Sequence, residues 1–347
     1  MDYNGINAKI KTMQGKLLGP TEYDALSHLG SVGELGLKLK THPIYQRSLL
    51  GLDEIRRQPI EQKVVLSLHE DFQKLIAFIW DHKVRMFLRA YFQKNDIYII
   101  KSLLCMATDE RSYHYSLPEL ADLLRGHPNI DVKRLTESKS TNAFIQNLLG
   151  SVFHQPLADA YSEDIPLAAL EARLDLYYYK QLWQAAKKYL DKANFAIARH
   201  LVGTEADMRN IMWMYRLKTF YDVPVQQIRS FIIPVYYRLR ARQLIQMSEI
   251  RNTDELKTFI ANTCYGKYFP SLGSNEPEIE KDFYRAMLRE HRVAERRDAR
   301  SLAVAMRFIF LKELEIQNVI SLAEGLRYGL QPAGIMEYLI VRRDESV

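Results

Sequence analysis

The feature that most constrains this chain is a sequence written twice. Setting DMRNIMWMYRLKTFYDVP, which begins at Asp207, over EIQNVISLAEGLRYGLQP, which begins at Glu315, requires an offset of 108 positions and places Asn210 on Asn318, Ile211 on Val319 and Pro224 on Pro332. The apolar residues follow the same register: Met208, Ile211, Met212 and Tyr215 become Ile316, Val319, Ile320 and Ala323. Their three- and four-residue spacing is that of one helix face. A pattern that recurs over such a distance predicts related helical units within one chain.

A third, fainter copy begins at DIYIIKSLLC, where Asp96 takes the acidic position and Ile97, Ile100 and Leu104 continue the stripe, with Ile99 where the other copies have Asn and Lys101 interrupting. Upstream of each copy lies an Asp with apolar or aromatic followers: Asp71 in EDFQKL, Asp175 in LDLYYYKQL and Asp282 in KDFYRAM. Three related units are expected, with approximate boundaries 1–130, 131–240 and 241–347.

The rest of the chain supports an all-α reading. Helical periodicity runs through 60–92, 167–190 and 278–314, and the separators are turn-like: GHPNID at 126–131, the stretch from Pro156 to Pro166, and FPSLGSNEPE at 269–278. Strand-like alternation is brief, as in FIIPVYY at 231–237, where proline argues against a central strand.

With 347 residues of which 47% are apolar, the chain can bury a substantial core, and the longest charge-free stretch, STNAFIQNLLGSVFHQPLA, carries too many amides and a proline to cross a bilayer as a helix. Two cysteines form no regular framework and no signal-peptide pattern opens the chain, so a reducing cytoplasmic setting is expected.

Within the repeats, an acidic residue beside exposed N–H groups stabilises the first turn of a helix, so Asp96, Asp207 and Glu315 are expected to start theirs. Asn210 and Asn318, one position before stripe residues, are expected at the edge of the buried face, where an amide can bond a neighbouring loop or helix.

Signals for chemistry are absent from the motifs. Gly266-Lys267 is followed by Tyr268 and lacks the glycine of a phosphate loop, GSVGELG at 30–36 has the wrong spacing for a dinucleotide turn, and the nine histidines form no HExxH or Cys/His ligand set. No cofactor and no metal are expected. His82 and His200 are expected to cap, to hydrogen-bond or to face solvent, and Cys264 to be a buried or inert thiol.

The basic residues leave a competing reading open. Arg292, Arg296 and Arg297 in REHRVAERRDARSLAVAMR, and Arg238, Arg240 and Arg242 beside tyrosines in VYYRLRAR, could contact nucleic-acid phosphates, acidic partner loops or lipid head groups. Acidic residues dilute the first cluster and no nucleic-acid motif is present. A generic helical-repeat scaffold is a second alternative.

The repeat motifs, the LDLYYYKQL segment and the opening LLGPTEYDALSHLGSVGELGLKLKTHPIY together resemble the C subunit of bacterial and archaeal V-type (A-type) rotary ATPases, the counterpart of the d subunit in vacuolar ATPases. The resemblance implies a funnel-like all-α body of three pseudo-repeated units. It implies a non-catalytic central-stalk component on the cytoplasmic face of the membrane, which transmits torque between the proteolipid ring and central-stalk subunits D and F. The membrane stator subunit is a further candidate neighbour, and no nucleic acid is expected. Structural positions under this reading are Asp96, Asp207, Asn210, Glu315 and Asn318, and the six arginines just named are the partner-binding candidates.

Overall fold

A computed structural model describes residues 4–50, 57–109, 116–158, 167–220 and 224–341. The later part of the separator from Pro156 to Pro166, residues 159–166, lies outside them, as do residues 221–223 of the first repeat motif. Among the described residues the chain is all α, with sixteen α-helices, two short 3-10 turns and no strand.

The chain divides into two compact units. One comprises Met1–Trp80, Tyr113–Leu123 and Glu295–Val347. It is organised around the helix Leu302–Arg327, which packs most extensively on Arg57–Phe78 and also meets Asn4–Gln14 and Pro332–Tyr338. The physical reason is in its sequence: LAVAMRFIFLKELEIQNVISLAEGLR is apolar nearly all the way round, and such a helix must be enclosed by others. Twenty of its residues are buried, Arg307, Lys312, Glu315 and Asn318 among them.

The second unit comprises Asp81–Ser112 and Leu124–Ala294. Its main packing is between the long helices His82–Asp109 and Leu167–Tyr189, and Lys192–Thr219 packs against the latter. Leu170, Leu174, Tyr178, Leu182 and Ala186 form the regular stripe that makes this possible. Asp191 caps the start of Lys192–Thr219 by accepting the Asn194 N–H.

Two stretches of unbroken helical periodicity are divided. The run 60–92 stops at Phe78 and restarts at His82, where Asp81 accepts the N–H groups of Lys83 and Val84. The run 278–314 is split after Arg297, and Ser301 caps the new helix by accepting the Ala303 N–H. Capping side chains supply the partners that a helix terminus otherwise lacks, so Asp and Ser can break a helix whose apolar spacing continues. FIIPVYY, in turn, is neither helix nor strand.

Candidate functional site

The repeated acidic residues do not start helices. Asp96 lies in the middle of His82–Asp109, Asp207 in the middle of Lys192–Thr219 and Glu315 in the middle of Leu302–Arg327. At such positions the helix has no spare N–H groups, since each already bonds the carbonyl four residues back. The carboxylates instead reach sideways to other segments, which local spacing cannot reveal.

Asp207, fully buried, accepts the backbone N–H groups of Tyr237 at 3.4 Å, Arg238 at 2.7 Å and Leu239 at 3.0 Å, and the Tyr265 hydroxyl at 2.9 Å. Burial pushes its carboxyl above the ordinary value while these donors pull it down. Glu315 has a similar set of donors: the Leu18 N–H at 2.6 Å, the Tyr45 hydroxyl at 2.6 Å and the Lys312 ammonium at 3.0 Å. In both copies a mid-helix carboxylate holds a backbone amide of an irregular segment and a tyrosine hydroxyl.

The asparagines complete the parallel. Asn210 donates to the Ile233 carbonyl at 3.1 Å and accepts the Ile233 N–H at 2.8 Å, while Asn318 makes the same pair with Ile340 at 3.1 and 2.9 Å. An Asn side chain mimics a peptide group, so it satisfies both backbone groups of one residue just as a neighbouring strand would. The segment from Ile233 to Leu239 buries Ile233, Val235 and Leu239 while its amides are bonded from helix side chains. Neither asparagine sits at the edge of the buried face: their exposures are 1% and 3%.

The faint copy is different. Asp96 is half-buried and lies 2.9 Å from His127 Nε2, and Ile99, in the Asn position, is fully buried with no amide to offer. Lys101, which interrupts the stripe, bonds Asp175 at 2.6 Å. Of the other upstream aspartates, Asp282 is buried and accepts the Ser271 N–H at 2.8 Å, and Asp71 faces Lys74 and Lys312.

Several organising residues escape motif reading. Tyr45 and Tyr265 are too distant in sequence from their carboxylates to be paired with them. Lys312 left a clue: a lone lysine in a long apolar run, with Glu315 three positions on, is the spacing of a buried ion pair. Glu205 is buried among the Tyr179 hydroxyl and Arg209, and burial, which raises its carboxyl, is outweighed by Lys94 and Arg209, so its pKa is lowered.

The arginine candidates are dispersed. Arg238, Arg240 and Arg242 are exposed around the start of helix Ala241–Glu249 in the second unit. Arg292 is half-buried in Glu276–Arg297, and Arg296 and Arg297 are exposed in its last turn, within the first unit. His200 does hydrogen-bond, its Nδ1 meeting the Tyr237 hydroxyl at 3.4 Å, while its Nε2 lies within ion-pair distance of Glu290 at 2.9 Å. Cys264 is exposed and burial of the sulfur's surroundings pushes its thiol up, so an inert thiol fits and a buried one does not. Among the described residues no group of three or more His, Cys, Asp or Glu is arranged to hold a metal ion, and no helix is long and apolar enough to cross a membrane.

The arrangement is therefore one of structural clasps, and comparison with known proteins gives it a family. The model of the ATP synthase (C/AC39) subunit family matches residues 6–338, nearly the whole chain. The chain belongs to the ATP synthase (C/AC39) subunit family. Similar proteins include the C subunit of the A-type ATP synthase of Methanosphaera stadtmanae, 25% identical with 98% of this chain and 88% of the relative covered. Those of Thermococcus onnurineus (23%; 96% and 89%) and Archaeoglobus fulgidus (22%; 97% and 95%) cover similar spans. As a C/AC39 family member, the chain is the C or d subunit of a V/A-type ATPase, and its partners are other subunits of that complex. The clasps at Asp207, Asn210, Glu315 and Asn318 all lie inside the matched region.

Proposed function

We propose that this chain is the non-catalytic collar of the rotor: it joins the proteolipid ring to central-stalk subunits D and F on the cytoplasmic face and transmits torque between ATP hydrolysis or synthesis and proton or sodium transport. The observation that carries the reading is the family match across nearly the full chain, the relatives being C subunits of A-type ATP synthases. The three related units, 1–130, 131–240 and 241–347, arranged as a funnel-like body, are part of the same reading, as is a contact with the membrane stator subunit.

Physical chemistry supports the role in one respect. A torque-bearing part must resist deformation, and close-packed helices do so. The irregular segments between helices would be the compliant places, and two of them are pinned by buried side chains, Asp207 with Asn210 and Glu315 with Asn318. Buried polar networks with every member bonded rigidify the structure around them.

The test is reconstitution of the ATPase with and without this chain, with native mass spectrometry of the complex captured in mild detergent at low salt. Co-capture with the proteolipid ring and central-stalk subunits is expected. Without the chain, the catalytic head should still hydrolyse ATP while ion pumping is lost. Undiminished pumping without it, or capture with no rotor component, would overturn the proposal.

A further inference from the structure

In the second unit, four exposed cations stand over one continuous floor of aromatic and acid–base side chains. Arg199 and Arg238 place their guanidinium carbons 5.5 and 5.4 Å from the centre of the Tyr237 ring. Lys267 and Arg289 lie 5.0 and 6.0 Å from the centre of the Tyr268 ring. The two rings belong to one chain of contacts. Tyr237 packs edge-on against the His200 ring at 6.1 Å, His200 Nε2 lies 2.9 Å from Glu290, and the Tyr268 hydroxyl donates to Glu290 at 2.6 Å.

The carboxylate of this floor, Glu290, is already engaged. The hydrogen bond to His200 and that from Tyr268 hold it at about 2, well below the ordinary carboxylate range. Among the described residues, Arg199, Arg238, Lys267 and Arg289 make no ion pair. Glu290, whose charged form Arg238 also favours, is one carboxylate beneath four cations, so the surface keeps a positive excess that attracts an external anion.

The loops that carry Arg238 and Lys267 are tied together from below. Asp207 accepts the N–H groups of Tyr237 and Arg238 and also the hydroxyl of Tyr265, which adjoins the turn that carries Lys267 and Tyr268. One buried carboxylate thus fixes the backbone of both loops, so that what a ligand must still order there is side chains.

We infer that Arg199, Arg238, Lys267 and Arg289 form a docking surface for an acidic segment, rich in Asp or Glu, of another subunit of the same complex. An exposed guanidinium offers a planar fork of N–H donors, which suits bidentate pairing with a carboxylate. Nucleic acid is a poorer match, because bases need open ring faces: Tyr237 carries arginines, and Tyr268 is only 9% exposed. The source of the segment follows from family membership, which makes other subunits the chain's neighbours. The inference rests on that membership and not on the torque role.

A zero-length carbodiimide cross-link tests it in the complex purified from its own membranes, because this reagent joins a lysine amine to a carboxylate in direct contact. Lys267 should be found joined to an Asp or Glu of another subunit. In complexes carrying R199Q/R238Q/R289Q the yield of that cross-link should fall roughly tenfold, as weakened charge pairing requires. K187Q/K188Q/K192Q, which removes the same charge from exposed lysines elsewhere in this unit, should leave it unchanged. Lys267 joined to no other subunit, or an equal loss in both variants, would overturn the inference.

If the substituted chain does not enter the complex, the isolated chain decides. It should bind a labelled peptide of alternating glutamate and serine in a salt-sensitive manner, and R199Q/R238Q/R289Q should bind it roughly tenfold less tightly with an unchanged melting curve. Tighter binding through the same residues to phosphatidylserine vesicles or single-stranded DNA would reject an acidic segment in favour of a lipid surface or nucleic acid. Loss of ion pumping is not a readout in either arm, so the collar role and the docking surface can fail separately.

Discussion

Lys312 and Glu315 are an ion pair one helical turn apart, 3.0 Å between Nζ and Oε1, with side-chain exposures of 0% and 2%. Their burial means that neither charge can be satisfied by water. Lys312 also sits 4.3 Å from the centre of the Tyr45 ring, whose hydroxyl bonds Glu315. Lys312→Met should therefore destabilise the fold by about 3–5 kcal/mol, the cost of an uncompensated buried charge. Glu315→Gln keeps the shape and some hydrogen bonding, and should cost less. Denaturant unfolding of the two variants checks the order; equal, small losses would mean that the pair contributes little.

Asn210 and Asn318 each satisfy both backbone groups of one isoleucine. Asn210→Leu and Asn318→Leu should each lower stability by about 1–3 kcal/mol, because two buried peptide groups lose their partners. The asparagines share no hydrogen-bond partner, so the double variant should show near-additive loss. Unfolding midpoints give the result directly, and an unchanged midpoint for Asn210→Leu would remove it from the set of structural clasps.

Gly203 is where Tyr237 makes its close approach: a Cβ there would lie 2.6 Å from Tyr237 Cβ and Cγ. The tyrosine cannot retreat easily, since its amide and those of the next two residues are held by Asp207. Gly203→Ala should cost about 1–3 kcal/mol through overpacking, despite the better helix propensity of alanine. A melting curve shows the sign, and stabilisation would mean that the loop yields.

Glu290 and Tyr268 set an acid and an alkaline limb of stability. The His200 and Tyr268 hydrogen bonds hold Glu290 at about 2, below its ordinary 4.5, so its contribution is present above about pH 4.5 and is lost as pH falls through 2. Burial, with the hydrogen bond to Glu290, pushes Tyr268 up to about 12 from 10.0; that contribution is intact below pH 10 and is lost as pH rises through 12. Glu290→Gln should flatten the acid limb, and Tyr268→Phe the alkaline one, in unfolding measured against pH. Spectrophotometric titration of tyrosinate should show one late-titrating group fewer in Tyr268→Phe.

The repeat was legible in sequence because helix faces recur at fixed spacing, and Met208, Ile211 and Met212 are indeed core residues with exposures of 0 to 3%. The role of the acidic position was not legible. A local rule assigns Asp and Glu to helix starts, yet Asp207 and Glu315 are mid-helix residues whose donors lie 30 or more positions away, apart from Lys312. Nor was the charged surface at Arg199, Lys267 and Arg289 visible, because these residues come from three separate segments. Arg238 in the tyrosine-rich VYYRLRAR and Arg289 at the head of REHRVAERRDARSLAVAMR belong to runs that stand out in the sequence, but nothing along the chain brings them to Arg199 or Lys267.

Sequence by itself determined the all-α class, the family and the positions that recur, since periodicity and order of motifs are properties of the chain read along its length. Only the tertiary structure decided what those positions do. Hydrogen bonds and ion pairs extend over about three ångströms in space with no regard for separation along the chain. A mid-helix carboxylate therefore acquires its partners, Tyr45 or Tyr265, only when packing brings distant segments against it.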